Sequence, residues 1–142
     1  MVAMILAHDL RYGIGKDGKL PWRVKEDLKH FKQCTLGKDL IVGRKTAEGL
    51  PPLKGRNIYV VSRSGLSVEE ALSKSENPII IGGAEIYHYC LDNGLVDEII
   101  STQINGEYDC DIFIRNNFFD GFVISKTEIL GNGHIAVWYK KE

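Results

Sequence analysis

The chain has 142 residues, 44% hydrophobic and 26% charged, with a formal net charge of −1, which suits one globular domain with a sizeable core. So small a net charge supplies no field to recruit nucleic acid or an anionic membrane, and the apolar run at residues 2–7 is too short, and lacks the basic flank, for a membrane span or signal peptide. The three cysteines, Cys34, Cys90 and Cys110, are too widely spaced for a disulfide framework or a C-x-x-C metal site, so a reducing, cytoplasmic setting is expected.

Residues 2–8 read as a buried strand followed by turn signals. A glycine-rich loop runs from Gly13 to Trp22, and residues 24–35 read as a helix that stops at Gly37. Leu40-Ile41-Val42 lies within a second buried strand at 39–42. Gly43-Arg44-Lys45-Thr46 follows it directly and opens a short helical segment that Pro51-Pro52 ends. A third strand covers 57–61. Ser67-Val68-Glu69-Glu70 has capping-box spacing and starts a helix over 68–74. A fourth strand, 78–81, has Pro in first position. Gly82-Gly83 then opens a helix over 84–93 that Gly94 closes. A fifth strand covers 98–104, and 122–128 with 134–140, joined by Gly131-Asn132-Gly133, read as a hairpin. Most of 105–120 shows no period and reads as loop. Strands alternating with helices predict an α/β fold over 1–142, a single domain whose twisted, mainly parallel sheet has helices on both faces and an antiparallel C-terminal hairpin.

Two features carry chemistry. On a helical wheel at about 100° per residue, Val24, Leu28, Phe31 and Thr35 form an apolar stripe. Lys25, Glu26, Lys29, His30 and Lys32 fall opposite and read as a solvated face. Asp27 falls inside the stripe, where a carboxylate is costly unless something pairs with it. It either reaches water at the stripe's edge, bonds a backbone N–H, or is a working acid beside the mobile loop. The second feature is the set of strand ends, where ligands of such sheets bind. Gly43-Arg44 and Gly82-Gly83-Ala84 each place glycine before a helix N-terminus, a device for holding phosphate. Two of them fit a dinucleotide, and Arg44 with Ser62 and Arg63 suits one further phosphate, favouring NADP over NAD.

Other motifs fail on context. Gly13-Ile14-Gly15-Lys16-Asp17-Gly18 matches G-x-G-x-x-G, but no helix opens at it; its glycines are read instead as conferring mobility. Gly43-Arg44-Lys45-Thr46 lacks the P-loop spacing. The four histidines are scattered without metal spacing, so no metal site is expected, and no nucleophile elbow supports acyl transfer. Trp138 and Tyr139 read as one core and one surface position.

The order Ala7, Gly-Ile-Gly, Leu20-Pro21-Trp22, Asp27, Phe31, Gly43-Arg44-x-Thr46, Gly55-Arg56-x-Ile58, Ser62-Arg63, Ile81-Gly82-Gly83-Ala84-Glu85-Ile86-Tyr87 and Thr102 resembles dihydrofolate reductase over residues 2–113. The resemblance implies reduction of 7,8-dihydrofolate with NADPH, in a protein expected to be monomeric. Asp27 is then the acid that grips the pterin, with Trp22 (through water) and Thr102 supporting it. Ile5 and Ile81 offer backbone carbonyls beside pterin and nicotinamide, with Leu6 alongside. Leu28, Phe31, Leu50 and Leu53 line the groove for the p-aminobenzoyl ring, and Arg56 holds the glutamate α-carboxylate. Ala7, Gly13, Ile14, Gly15, Gly18 and Lys19 border the nicotinamide ribose. Gly43, Arg44, Lys45, Thr46, Ser62 and Arg63 take the adenosine end, and Gly82, Gly83, Ala84, Glu85, Ile86 and Tyr87 the pyrophosphate. The chain departs from the family pattern at His8-Asp9, at Ala47, in a short stretch between Gly65 and Pro78, and at Asp111-Ile112-Phe113. A pyrimidine reductase of the same fold, or a non-catalytic protein that kept the fold, would share the dinucleotide features without calling for Leu-Pro-Trp, Asp27 and Arg56 together.

Overall fold

In the computed structural model, which describes residues 1–142, the apolar runs become strands at nearly the expected places. In chain order the elements are β1 (Ala3–His8), β2 (Gly13–Gly15), α1 (Lys25–Thr35), β3 (Asp39–Gly43), α2 (Arg44–Glu48), β4 (Asn57–Val61), α3 (Val68–Lys74), β5 (Pro78–Gly82), α4 (Ala84–Asp92), β6 (Glu98–Gln103), β7 (Ile112–Phe113), β8 (Phe122–Gly131) and β9 (His134–Lys141). Seven strands form one sheet in the order β4-β3-β5-β1-β6-β9-β8. The first five are parallel; β9 runs antiparallel to both β6 and β8. The expected capping box of α3 is present, with Glu70 N donating to Ser67 Oγ and Ser67 N to Glu70 Oε1.

Strand alternation divides the core. Met4, Leu6, Ile41, Ile80 and Ile99 point to the face covered by α3 and α4, where Val68, Ala71, Tyr87 and Cys90 meet them. Ile5, Leu40, Val42, Ile79, Ile81 and Ile100 point to the other face, against Phe31 and Cys34 of α1 and Ala47 of α2. The inner strands β3, β5, β1 and β6 are therefore buried on both faces, as continuous apolar strands require, while the edge strands β4 and β8 are largely exposed.

Most of 105–120 is loop, as expected, apart from Ile112–Phe113, which pairs with Gly13–Gly15 as a second, two-stranded sheet. Three expectations need correction. His30 is not on a solvated face. It is buried, its ring edge-on to Trp138 at 5.4 Å, because the hairpin packs on α1 as well as extending the sheet. Neither Trp138 nor Tyr139 is a surface residue. Trp138 packs on the α1 face, and Tyr139 stacks on Phe119 at 4.3 Å on the other. Finally, Gly13 and Gly15 are buried in β2 rather than free to move. A Cβ at Gly13 would overlap the Cys110 side chain, so that glycine is there for close approach, and of the three loop glycines only Gly18 (φ +76°) is open and left-handed.

Candidate active site

The site is a split in the sheet. β1 and β5 pair only at Ala3↔Ile79 and Met4↔Ile80, yet β1 continues to His8 and β5 to Gly82. On its other side β5 carries a bulge, with Ile41 opposite Ile80 and Val42 opposite Gly82. That bulge leaves Ile81 unpaired and turns it from the ladder, a common arrangement next to active sites. The chain leaves the two strands in opposite directions, from β1 through α1 to β3 and from β5 through α4 to β6. Such a switch point opens a crevice beyond the carboxyl ends of the strands.

Ile5, Ile81, Ala7, Thr102, Asp27 and Trp22 converge here. Thr102 is directly beside Ala7 in the β1–β6 ladder. Asp27 comes from the first turn of α1 and is 9% exposed. Its burial lifts the carboxyl pKa, against smaller opposing effects of the Thr102 hydroxyl and of His30 and His134. Yet no hydrogen bond of ordinary geometry joins Asp27 to Thr102, and Thr102 Oγ1 and Trp22 Nε1 are buried without a partner. Buried polar atoms are nearly always paired, so a buried acid beside an unpaired hydroxyl, with an unpaired indole N–H in the adjoining cluster, makes a polar group of side chains suited to a ligand with ring N–H and amino groups. Trp22 rests on Tyr108 at 5.3 Å within a small cluster that includes Val24, Ile104 and Ala7.

Phe31, Leu50 and Leu53 are half-buried against the Ile5–Ile81 cluster, while Leu28 stays 45% exposed. Together they form an apolar wall. Arg56 stands at its far end, with Nη1 donating to Thr35 Oγ1 at 3.1 Å and Nε to the Lys54 carbonyl at 3.0 Å.

The two glycine-led helix starts are adjacent. A Cβ at Gly43 would come within 3.0 Å of Ile86, and one at Gly83 within 2.8 Å of Thr46 Oγ1. Neither helix has a side-chain cap, so the first-turn N–H groups of α2 and α4 face outward from glycine. Such a cradle admits backbone-to-phosphate contact that side chains would block. Arg44, Lys45 and Arg63 are exposed beside it, with Ser62 half-buried. Ala84 is half-buried, whereas Glu85 is exposed. Arg44 is paired with Glu48 at 3.0 Å.

Two of the expected site residues are placed otherwise. Leu6 points into the α3–α4 core, so only its backbone can border the crevice. Tyr87 has both of its polar groups already bonded. Its N–H donates within α4 to the Gly83 carbonyl at 2.9 Å, and its hydroxyl donates to the Ile5 carbonyl at 2.7 Å, making it a strut across the split. The glycine-rich loop is tethered at Gly13–Gly15, and Asp17 N donates to Asp111 Oδ2 at 3.1 Å. Lys16 and Lys19 are joined by paired backbone bonds around exposed Gly18.

Sequence reasoning missed Thr35 and Asp9. Thr35 counted only as a stripe position, although a hydroxyl on an apolar stripe is itself a signal. Asp9 is fully buried, and its partners reach to Tyr108; nothing local announces that.

The sequence profile of the family described as dihydrofolate reductase matches residues 1–132. A putative dihydrofolate reductase of Caenorhabditis elegans is 34% identical over 164 aligned positions, covering 94% of this chain and 84% of that protein. A bifunctional dihydrofolate reductase-thymidylate synthase of Paramecium tetraurelia is 34% identical over 140 positions, covering 88% of this chain; the chain spans only 30% of that relative's length. Among solved structures, dihydrofolate reductase from Enterococcus faecalis, complexed with NADP(H) and RAB-propyl, superposes with a TM-score of 0.85 at 29% identity, covering 99% of this chain and 96% of that one.

Proposed function

This chain belongs to the dihydrofolate reductase family, and on that premise we propose that it is an enzyme reducing 7,8-dihydrofolate to 5,6,7,8-tetrahydrofolate with NADPH. The observation that carries the reading is the buried Asp27 beside the unpaired Thr102 Oγ1, with the unpaired Trp22 Nε1 in the cluster that holds Ala7, the ladder neighbour of Thr102. Asp27 binds the 2-amino group and N3 of the pterin, Thr102 supports it, and Trp22 holds a bridging water. Phe31, Leu50 and Leu53, with Leu28, take the p-aminobenzoyl ring, and Arg56 the glutamate α-carboxylate.

The glycine cradle fits a dinucleotide. Gly43, Thr46, Gly82, Gly83 and the first turn of α4 would hold the pyrophosphate, and Arg44, Lys45, Ser62 and Arg63 the adenosine end with its extra phosphate. Ala7, Ile14 and the 16–20 segment would border the nicotinamide side. When bound, NADPH supplies the hydride that reaches C6 of the pterin. The chain's own contribution is to press two planar rings together and exclude water, which accounts for much of the rate gain. The carboxyl of Asp27, raised by burial, titrates nearer the operating pH than an exposed aspartate and favours protonation at N5 through water. No helix is long and apolar enough to cross a membrane. We further propose a cytoplasmic location and a monomeric state, with residues 1–142 forming one domain.

The test is NADPH oxidation followed with dihydrofolate and, in parallel, with a ribosylamino-pyrimidine. Turnover with dihydrofolate alone is expected. Turnover with the pyrimidine alone, or binding of both ligands without turnover, would refute the reading.

A further inference from the structure

Asp9 directly follows β1 and is 0% exposed, yet no cation pairs with it. Its charge is met by four donors from two segments. Oδ1 accepts Arg11 N–H at 2.9 Å and Gly13 N–H at 2.8 Å; Oδ2 accepts Tyr108 N–H at 2.9 Å and the Cys110 thiol at 3.6 Å. A buried carboxylate is tolerated only when so satisfied. On the proposed function, the two segments joined in this way border one side of the site. Gly13 begins β2, the root of the 16–20 segment. Tyr108 carries the ring on which Trp22 rests at 5.3 Å, and Trp22 Nε1 is one of the unpaired polar atoms of the crevice. A Cβ at Gly13 would overlap Cys110 and lie 3.1 Å from Asp9 Oδ1, so the joint has no slack.

We propose that Asp9 is a positioning residue for catalysis: through Tyr108 it sets the place of Trp22, and through Gly13 it sets the root of the nicotinamide-side segment. The inference rests on the functional reading above for its link to rate, but not for its link to Trp22. The carboxylate is specifically required. In Asp9→Asn the amide keeps one acceptor oxygen and turns an NH2 toward two donors, so whichever way it lies one of the two segments is released.

The experiment uses Asp9→Asn in the full chain, with Trp138→Phe so that Trp22 is the single indole emitter of the two tryptophans. Expected are a single-turnover hydride transfer slowed by about tenfold or more, the cost of a misplacement below 1 Å being of this order, a red-shifted Trp22 emission, and an NADPH dissociation constant within about threefold of the parent, since the adenosine end is untouched. A lowered melting temperature with parental transfer rate and emission overturns the proposal. If Asp9→Asn does not fold, Tyr108→Leu decides, since it keeps the N–H to Asp9 but removes the ring: slowed transfer with shifted emission supports the relay, and parental values for both overturn it. A parent that does not turn over dihydrofolate refutes the functional reading instead, and emission alone then decides the role of Asp9.

Discussion

Arg56 Nη1 donates to Thr35 Oγ1 at 3.1 Å, and Thr35 Oγ1 donates in turn to the Phe31 carbonyl at 2.8 Å. The guanidinium at the end of the apolar wall is thus held by the helix that carries Asp27. Thr35→Val keeps the shape and removes the acceptor. Its KM for dihydrofolate should rise about three- to tenfold with kcat nearly unchanged, because a hydrogen bond to a charged group contributes roughly 1.5–3 kcal/mol and only part of it acts through Arg56. Steady-state kinetics with dihydrofolate and with a pterin lacking the glutamate check this, and the truncated substrate should show no change in KM.

Asp27 is expected to trade stability for activity. Burial raises its carboxyl pKa above the unfolded value, so the folded state holds the proton more tightly than the unfolded chain does. The resulting destabilisation is complete above the folded-state pKa and disappears below about pH 4, where both states are protonated. Asp27→Asn should therefore be more stable than the parent at pH 7, with the gap closing as pH falls, while kcat drops about 100-fold or more. Denaturant midpoints across pH 4–8, beside turnover at pH 7, measure both; a gap that widens on acidification would contradict the burial argument.

The exposed Arg44–Glu48 pair competes with any phosphate that Arg44 is to hold. Glu48→Gln should tighten NADPH by about two- to fivefold, since exposed pairs contribute roughly 0.2–1 kcal/mol. Arg44→Ala should weaken NADPH by about tenfold. Neither change should alter NADH. Equilibrium fluorescence titrations with both nucleotides give the comparison, and equal effects on the two would remove Arg44 from the extra phosphate.

Tyr87→Phe separates the strut from a ligand role. The hydroxyl bridges the split to Ile5 at 2.7 Å, and burial pushes its pKa up, so it stays a neutral donor. Its loss should cost about 1–2 kcal/mol of stability and leave NADPH affinity within about twofold. Chemical denaturation and nucleotide titration of the same variant test the two halves.

Much of this molecule was legible in the chain. Parallel strands buried on both faces read as unbroken apolar runs, so β1, β3, β5 and β6 announced themselves, as did the glycines at the strand ends, because a phosphate cradle needs positions without Cβ. Asp27 stood out for a local reason too, as an acid on an apolar stripe. Tertiary structure decided what depends on distant partners. The β1–β5 ladder stops at Met4↔Ile80, a fact of twist and bulging that no local pattern encodes. Tyr87 became a strut, and His30 was buried by a hairpin about a hundred residues further along. Gly13 turned out to be fixed by Cys110, and Asp9 has its charge balanced by Tyr108 and Cys110. Side-chain type and spacing determine which element forms and which face is apolar; only the folded chain determines which donors surround a buried charge, because those donors come together by packing rather than by sequence.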